Sequence, residues 1–502
     1  MLIPKRVGPG SHSLYLKTAG IVLSGVAPLI CFWSVLSGGF LIWDDNVNLI
    51  ENRPLWQSAG KAFQWMFTDI ESVQRYKPLN WVAWRMIGES FAMSPVAFHA
   101  LNLLVHAGNS LLLFYIVRKF LTTSLNQTTS AINTAALVGT LCWSLHPLRV
   151  EPVAWISGAG FPLATFPALL AILAFQCYLA GGHTRYYWIS ILFFGLSLLS
   201  HPAAAALPSL IFALAWISKP STAIETMAQS RKLIRLILPY CALATTLLAV
   251  TLAVQLTPNE VWNQPPSLKI MGLGTRVMQA FAVWGWYLSK TLFPLHLAPV
   301  YPDFWVFSPT SFRAIANGIV IVTISTVLWR ARRRFPEISA FWAAFLLLAL
   351  PVLGLTEHPF SPADRYTYVP GLALALLLAS ALCRGFSTVR GPIIAVTTSV
   401  LVIGVFLAVT VHQLQIWRTP IAFFRCAILS VGFRPAAANL HWRLGLHYLS
   451  AELPTQAAQE FETVLRLDPG DSDAARYLKI LESRTPASAA ADSQKDASPA
   501  TR

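Results

Sequence analysis

The chain has 502 residues, of which 55% are hydrophobic and only 12% are charged, and its mean hydropathy is +0.55. Soluble domains carry about 25% charged residues, so this composition excludes a soluble globular protein and predicts a polytopic membrane protein. The net charge of +15 does not indicate nucleic-acid binding. The basic residues gather in alternate connections between apolar segments, as they do in the cytoplasmic loops of membrane proteins.

Apolar segments of transmembrane length recur along the chain. They lie at 19–41, 97–117, 132–147, 154–180, 186–200, 203–218, 234–256, 312–330, 338–354, 368–384 and 391–412. A further stretch, at 271–290, is ambiguous, because a simple span there would place the basic run 330–334 outside. We therefore predict an outer loop at 257–311 with a re-entrant or surface-lying helix. The predicted fold is all-α, with about 11–12 transmembrane helices.

The charged residues also predict the orientation of these segments. Lys and Arg gather in one alternate set of connections, where the carboxylates are Glu225 and Glu337, whereas the other carboxylates of the membrane region fall in the opposite set. The positive-inside rule places the N-terminus in the cytoplasm and residues after about 413 outside. We predict a multi-pass protein of a bacterial inner membrane with a periplasmic C-terminal region.

An acidic pair, Asp44 and Asp45, directly follows the first apolar segment. Carboxylates at the rim of a bilayer cost free energy unless water, a cation or chemistry retains them, so the pair marks a candidate functional site. The alternative is that the pair merely caps a helix.

The outer loop of about 44–96 also contains apolar residues at helical spacing, namely Trp56, Ala59, Phe63 and Met66. Their spacing predicts a short amphipathic helix lying on the membrane surface. The alternative is an irregular interfacial loop whose aromatic side chains belong to the interfacial belt.

Three further polar clusters lie at the outer ends of predicted spans. They are 146–151, with His146, Arg149 and Glu151; 200–202, with His201; and 357–359 followed by 364–370, with Asp364 and Arg365. Each alone is compatible with an ordinary helix terminus that has a capping or snorkelling side chain. Together, cationic side chains and carboxylates at one level indicate a site that binds a phosphate while a buried Asp activates a hydroxyl.

Five motifs in order resemble the transmembrane and tetratricopeptide repeat-containing O-mannosyltransferases and their bacterial relatives. They are Trp43-Asp44-Asp45 with Glu51-Asn52-Arg53-Pro54, Tyr76-Lys77-Pro78-Leu79-Asn80-Trp81, His99-x2-Asn102-x3-His106, the run from His146 to Ser157, and Asp364-Arg365-Tyr366-Thr367-Tyr368-Val369-Pro370. The resemblance covers most of residues 40–480.

The C-terminal region has the spacing of a tetratricopeptide repeat. The pattern is His441-x2-Leu444-Gly445-x2-Tyr448, then Ala457-x3-Phe461 and Pro469. It predicts antiparallel helices at about 438–450 and 454–467 within a helical region over 413–485. A generic helical hairpin is the alternative. The Ala- and Ser-rich segment 486–502 is predicted to be disordered.

The resemblance implies a GT-C glycosyltransferase, which moves a sugar from a polyprenyl-phosphate carrier to an acceptor, here a protein hydroxyl on the outer face. In such enzymes an Asp of the first outer loop acts as catalytic base, and this role falls to Asp44 or Asp45. The companion carboxylate would orient the acceptor or help to hold a divalent cation. The implied donor-phosphate residues are Lys77, His146, Arg149, His201 and Arg365. The supporting residues are Arg75, Glu151 and Asp364.

Two segments depart from the family pattern. Relatives commonly have Glu-Arg-Lys-Asp where this chain has Gly158-Ala159-Gly160-Phe161, and Lys where it has His201. We favour altered donor preference over loss of activity, because the acidic pair is present. The alternative is a catalytically degenerate scaffold whose tetratricopeptide region recruits partners.

The implied partners are membrane lipid, the lipid-linked sugar and a protein bound through the tetratricopeptide region, with no nucleic acid. A transporter would carry charged groups in the middle of its spans and show internal symmetry. The sequence shows neither feature.

Overall fold

The structure, a computed structural model, describes residues 11–69, 76–217, 223–256, 272–305, 307–355, 362–386 and 391–483. All regular elements in these ranges are helical, so the prediction of an all-α fold is confirmed. The chain forms two compact units, residues 1–297 with 303–414 and residues 298–302 with 415–502.

Most of the helices belong to the first unit. They are α1 Ser11–Cys31, α2 Ala59–Thr68, α3 Pro78–Ser90, α4 Pro95–Ser124, α5 Thr129–Ser144, α6 Val150–Ala154, α7 Gly160–Gly181, α8 Thr184–Ser200, α9 Leu207–Ile217, α10 Ala223–Leu256, α11 Leu273–Leu292, α12 Phe312–Ala331, α13 Pro336–Ala349, α14 Pro370–Gly385 and the greater part of α15 Gly391–Arg418. The second unit contains the end of α15, then α16 Pro420–Val431, α17 Ala438–Ser450, α18 Pro454–Leu467 and α19 Ser472–Ser483.

Six helical segments of the described chain are long and apolar enough to cross a membrane. They are Leu14–Ser37, Pro95–Ser124, Ile156–Gly181, Leu233–Val254, Phe312–Ala331 and Ile393–Arg418. Shorter apolar helices lie at Pro202–Ile217, Pro336–Val352, Pro370–Gly385 and Pro420–Val431. The chain is a multi-pass membrane protein. The number of about 11–12 crossings and the orientation of the termini stay predictions from length and charge.

Prolines begin the short helical turns that follow α5 and α8. Pro147 and Pro202 stand at the first position of these turns, where a fixed φ is favourable and the missing N–H costs nothing. The residue before each proline, His146 or His201, uses its Nδ1 to accept a hydrogen bond from the backbone N–H two residues ahead. Two of the polar clusters in the sequence are therefore helix-capping turns as well as candidate binding groups.

Small residues allow close packing of the helices in the first unit. At Gly139 of α5, an added Cβ would lie 2.8 Å from the carbonyl oxygen of Ala375 and 2.9 Å from the Cβ of Ala379, both in α14. Such approaches bring helix backbones together in membranes, where lipid supplies little hydrophobic force between helices. The contact fixes α14 against α5 near the turns that carry the candidate residues.

Helix α2 is present where the outer loop predicts an amphipathic helix. Its Ala62 and Met66 are buried in a cluster with Trp81 and Trp84 of α3, but Phe63 is 59% exposed. The predicted apolar face is therefore divided, since Met66 packs on protein and Phe63 does not. Contact with the membrane surface stays a prediction.

Helix α11 covers the ambiguous stretch at 271–290. Its polar side chains donate to carbonyl oxygens just after α13, with Arg276 Nη1 2.6 Å from Leu355 O and the Tyr287 hydroxyl 2.6 Å from Val352 O. α11 is not among the six candidate spans found in the described ranges. The helix therefore exists, and its relation to the bilayer stays a prediction.

In the second unit, α17 and α18 have the bounds that the repeat spacing predicts. Gly445 permits their close approach, because an added Cβ would lie 2.7 Å from a ring carbon of Phe461. The Phe461 ring also contacts Trp442 at 5.1 Å and Tyr477 of α19 at 5.5 Å. α19 lies within the helical region predicted over 413–485, although its bounds were not predicted from the sequence, and the segment 486–502 lies outside the described residues.

Candidate functional site

Asp45 is fully buried and held by three hydrogen bonds. Its Oδ2 accepts from the Leu41 N–H at 2.8 Å, and its Oδ1 accepts from the Ser157 N–H at 3.0 Å and the Ser157 hydroxyl at 2.5 Å. Burial raises the pKa of Asp45 to about 6, while these hydrogen bonds act in the opposite direction. Oδ1 therefore ties the acidic loop to the turn Ile156–Ala159, while Oδ2 fixes the backbone of the loop itself at Leu41.

Asp44 lies in a different environment from its neighbour. Its side chain is half-buried, and its backbone carbonyl accepts from the Asn48 N–H at 2.8 Å. Its charge also acts on Arg365: burial lowers the pKa of Arg365, but Glu151 and, more weakly, Asp44 raise it above its ordinary value. Of the two acidic residues, Asp44 is the one that solvent reaches and that faces a cationic group.

A buried network of amides holds Ser157, the partner of Asp45. Asn48 Nδ2 donates to the Ser157 hydroxyl oxygen at 3.1 Å, and Asn102 Nδ2 of α4 donates to the Trp155 carbonyl at 3.0 Å. Because each Ser157 hydrogen bond has a buried partner, the turn holds Asp45 in one orientation.

Glu151 and Arg365 form a buried ion pair between α6 and the turn Asp364–Thr367. The Arg365 guanidinium Nη1 contacts Glu151 Oε1, and the Arg365 backbone N–H donates to Oε2 at 2.8 Å. Glu151 is only 3% exposed, so most of its acceptor capacity is used inside the protein. Arg365 is therefore committed first to Glu151, and it retains a partly exposed guanidinium beside Asp44.

Arg149 is 1% exposed and stands in an aromatic corner, by which we mean the rings of Trp143 and Tyr368. Its Cζ lies 5.4 Å from the Trp143 ring centroid and 5.3 Å from that of Tyr368, within cation–π range. Its Nε and Nη1 have no hydrogen-bond partner among the described residues. Burial lowers the pKa of Arg149 to about 10, against the nearby charge of Asp364. This guanidinium is a buried cation, and two of its donor nitrogens have no acceptor among the described residues.

His146 and Lys77 are occupied by contacts within the protein. His146 Nε2 donates to the Thr291 carbonyl at 2.9 Å, while its Nδ1 accepts from a backbone N–H, so both ring nitrogens are used. The Lys77 ammonium lies 4.4 Å from the ring centroids of both Trp81 and Trp84. These contacts orient both side chains toward protein groups.

The two departures from the family pattern touch each other. The His201 and Phe161 ring centroids lie 4.5 Å apart, with the ring planes tilted by 40°, and an added Cβ at Gly160 would lie 2.7 Å from His201 Cδ2. Phe161 also contacts the Tyr366 ring at 5.9 Å. Phe161, His201 and Tyr366 therefore form an aromatic wall, and two of its three members lie at the positions where the resemblance implies charged side chains.

Contacts connect the aromatic wall to the acidic pair. Arg365 Cζ lies 4.7 Å from the Tyr366 ring centroid and 5.3 Å from that of Trp155. Trp155 lies two positions before Ser157, which donates to Asp45. The segments that carry Asp44, Arg365 and His201 thus meet through intervening side chains.

Arg75 and the cluster Glu357-His358-Pro359 lie outside the described residues. Ser157, Trp143 and Tyr368 lie in or beside the motifs, but no role for them was predicted from the sequence. Their position in or beside these motifs was a signal in the sequence that they could belong to the site. Their partners are distant in the chain, so spacing alone did not reveal the contacts.

A divalent cation was considered for the acidic pair. No group of three or more His, Cys, Asp or Glu residues in the described ranges is arranged to hold a metal ion. Both oxygens of Asp45 face N–H or O–H donors, which is the wrong surrounding for a cation ligand. We therefore assign no chemical step to a metal.

The fold and the site define a class of protein: an all-α, multi-pass membrane protein with a buried cluster of carboxylates and arginines at the ends of its helices. No family model matches the chain, and no solved structure matches it. Curated proteins, in contrast, give several partial matches.

The mouse protein O-mannosyl-transferase TMTC1 is 29% identical over 173 residues, which are 31% of this chain and 17% of the relative. Human TMTC4 is 25% identical over 193 residues, or 35% of this chain and 26% of the relative. Human TMTC3 is 25% identical over 152 residues, which are 29% of this chain and 15% of the relative. The chain is thus a distant relative of the TMTC protein O-mannosyl-transferases, and it spans about a quarter or less of their length.

Proposed function

We propose that the protein is a membrane glycosyltransferase of GT-C type that moves a sugar from a polyprenyl-phosphate carrier to a hydroxyl acceptor on the outer, periplasmic face. The observation that carries the proposal is the Arg149 guanidinium, which is buried with two unpartnered N–H groups among the described residues. A phosphate supplies the oxygen acceptors that these charge-assisted donors lack. The names of the relatives supply the sugar-transfer chemistry.

Asp44 is the proposed catalytic base, and Asp45 is the residue that positions its loop. Asp45 accepts three hydrogen bonds and is fully buried, which leaves it poorly placed to receive a proton from an acceptor. Asp44 is half-buried and near Arg365. A general base needs contact with the hydroxyl whose proton it removes.

The reaction is a single inverting displacement. The acceptor oxygen attacks the anomeric carbon while its proton passes to the Asp44 carboxylate, and the bond from that carbon to the phosphate oxygen breaks. The carrier phosphate leaves with the electron pair of the broken bond. Arg149 stabilises the charge that develops on the phosphate, because a fixed guanidinium in a dry site needs no reorganisation during the reaction.

The aromatic wall and the Glu151–Arg365 pair shape the remainder of the site. Arg365 holds Glu151 and keeps a positive charge beside Asp44. His201 contributes an aromatic face, which agrees with an altered donor preference. Protein acceptors are favoured by the helical region that follows the membrane unit.

The test is sugar transfer by the full-length protein in lipid vesicles. Polyprenyl-phosphate sugars, mannose included, serve as donors, and peptides with Ser or Thr serve as acceptors. Loss of a general base costs about 100- to 10 000-fold in rate, and we expect this loss for Asp44→Asn in a folded protein. The matched control is Asp303→Asn, because Asp303 is an exposed carboxylate paired with Arg313. Full transfer by Asp44→Asn would remove Asp44 as base. Failure of the unaltered protein with every donor would favour the scaffold alternative.

A further inference from the structure

We infer that Tyr368, fixed by His106 and Asn109, is a positioning residue that directs the spare donors of Arg149 toward the carrier phosphate. This inference rests on the proposed function. It concerns the polar groups beneath the aromatic corner, which the reaction itself does not use.

The aromatic corner covers the guanidinium without using its in-plane donors. The Trp143 and Tyr368 rings meet nearly edge to face, 5.0 Å apart at 70°. Aromatic faces attract a cation but cannot replace oxygen acceptors for the N–H groups. Gly371 closes the corner, since an added Cβ would lie 2.8 Å from Arg149 Nη2 and 3.1 Å from a Trp143 ring carbon. The surroundings hold Arg149 but supply no acceptor for Nε and Nη1 among the described residues.

The Tyr368 hydroxyl is held from two sides by α4. His106 Nε2 lies 2.9 Å from the Ser144 carbonyl, an acceptor, so this nitrogen carries the proton and Nδ1 is the acceptor. Tyr368 then donates its O–H to Nδ1 at 2.7 Å. Asn109 Nδ2 donates to the same hydroxyl oxygen at 3.2 Å. One arrangement of hydrogens makes all of these contacts at once, so the ring has a fixed orientation.

The backbone of Tyr368 is fixed as well. Its carbonyl accepts from Trp143 Nε1 at 3.2 Å, which joins the two walls of the aromatic corner directly. Asn109 also donates to the Pro162 carbonyl at 3.0 Å. Segments from α4, α5, α7 and the start of α14 are therefore locked together around Arg149.

A purely stabilising role for this network is the competing explanation. Buried polar groups in a membrane protein must find partners whether or not they have a function. That role predicts only a loss of stability when the Tyr368 hydroxyl is removed. A positioning role predicts, in addition, weaker binding of phosphate, because Phe at position 368 keeps the ring but lacks the hydroxyl that fixes it.

The first experiment compares Tyr368→Phe with Tyr240→Phe. Tyr240 is also fully buried, and its hydroxyl donates to the Ser190 hydroxyl oxygen at 2.7 Å, so the control loses a similar hydrogen bond. Binding of polyprenyl phosphate and of polyprenol is measured in detergent by thermal shift and by competition with the donor.

We expect Tyr368→Phe to bind polyprenyl phosphate about tenfold more weakly, with polyprenol binding unchanged and the donor KM raised more than kcat is lowered. Tyr240→Phe should bind both ligands as the unaltered protein does. Equal phosphate affinity in Tyr368→Phe and Tyr240→Phe overturns the inference but leaves the proposed function intact. If the unaltered protein binds polyprenyl phosphate no more tightly than polyprenol, the inference and the proposed function are both overturned.

A second pair of variants tests which ring nitrogen of His106 is needed for phosphate binding. The amide of Asn lies near the position of imidazole Nδ1 and can still meet Tyr368, whereas the longer Gln reaches toward Ser144. We expect His106→Asn to keep phosphate affinity within about threefold and His106→Gln to match the tenfold loss of Tyr368→Phe. The reverse order would show that the hydroxyl of Tyr368 does not direct Arg149.

Discussion

Asp45 and Arg149 are both buried ionisable residues at helix ends, but their surroundings differ in one respect. Every oxygen of Asp45 meets an N–H or O–H donor, whereas Arg149 has two N–H groups without a partner in the described structure. A buried group with its partners in place supports the fold. A buried charge that lacks them reduces stability and is retained for contact with something else.

The largest difference is expected when each arginine of the site is exchanged for methionine. Arg149→Met should lower transfer by about 100- to 1000-fold, as the loss of one preorganised donor does in other enzymes. Its stability should stay equal or rise, because a buried charge without hydrogen bonds is replaced by an apolar chain.

Arg365→Met is the matched control, because it leaves the buried Glu151 without its ion-pair partner. Removing one member of a buried pair costs about 3–5 kcal/mol. Thermal unfolding in detergent measures both variants. A large stability loss in Arg149→Met would show that its donors have partners in the folded protein.

The second prediction concerns the pH dependence of stability. The pKa of Asp45 rises from 3.8 to about 6 on folding, so the folded protein binds this proton more tightly than the unfolded chain. The resulting stabilisation is complete below about pH 3.8 and is lost as the pH rises through about 6, a change of about 3 kcal/mol. Unfolding curves from pH 3.5 to 7.5 should show this decline relative to Asp45→Asn, which has no proton to lose at this position. Parallel curves would contradict it.

The third prediction tests the partner of Asp45. Ser157→Ala removes the hydroxyl that donates to Asp45 and accepts from Asn48, so it should cost about 1–3 kcal/mol of stability. Ser380→Ala is the control, because its hydroxyl bonds only to the Leu376 carbonyl of its own helix. Chemical denaturation in detergent compares the two, and equal costs would argue against a special role for the turn.

The smallest effect is expected at the aromatic wall. His201→Phe keeps an aromatic ring against Phe161 but loses the hydrogen bond from the Ala203 N–H. It should cost about 1 kcal/mol and leave transfer within about threefold. A loss of transfer as large as that of Arg149→Met would place His201 at the donor phosphate instead.

The sequence predicts the fold well because its signals are local. Span-length apolar segments and the spacing from His441 to Phe461 are read within one helix or one hairpin, where 3.6-residue periodicity decides which positions pack. Predictions were weaker where a helix divides its face between two environments, as α2 does at Phe63 and Met66. Helix α19 lies within the predicted helical region but beyond the repeat pattern, so its bounds were not predicted.

The residue types of the site were predictable, but their roles were not. Asp44 and Asp45 are neighbours in the chain, and only Ser157, 112 positions away, distinguishes them. Arg149 and Arg365 are equivalent as residues, yet Arg365 pairs with Glu151, 214 positions away. Such partners depend on tertiary packing, which spacing along the chain does not encode.

The contact between Gly160 and His201 also makes these two positions interdependent. A side chain at position 160 would meet the His201 ring, which is held by its capping hydrogen bond and by Phe161. A residue larger than glycine at 160 should therefore be tolerated better when His201 is replaced by a smaller residue. The two positions are epistatic, so the stability costs of Gly160→Ala and His201→Ala should not add.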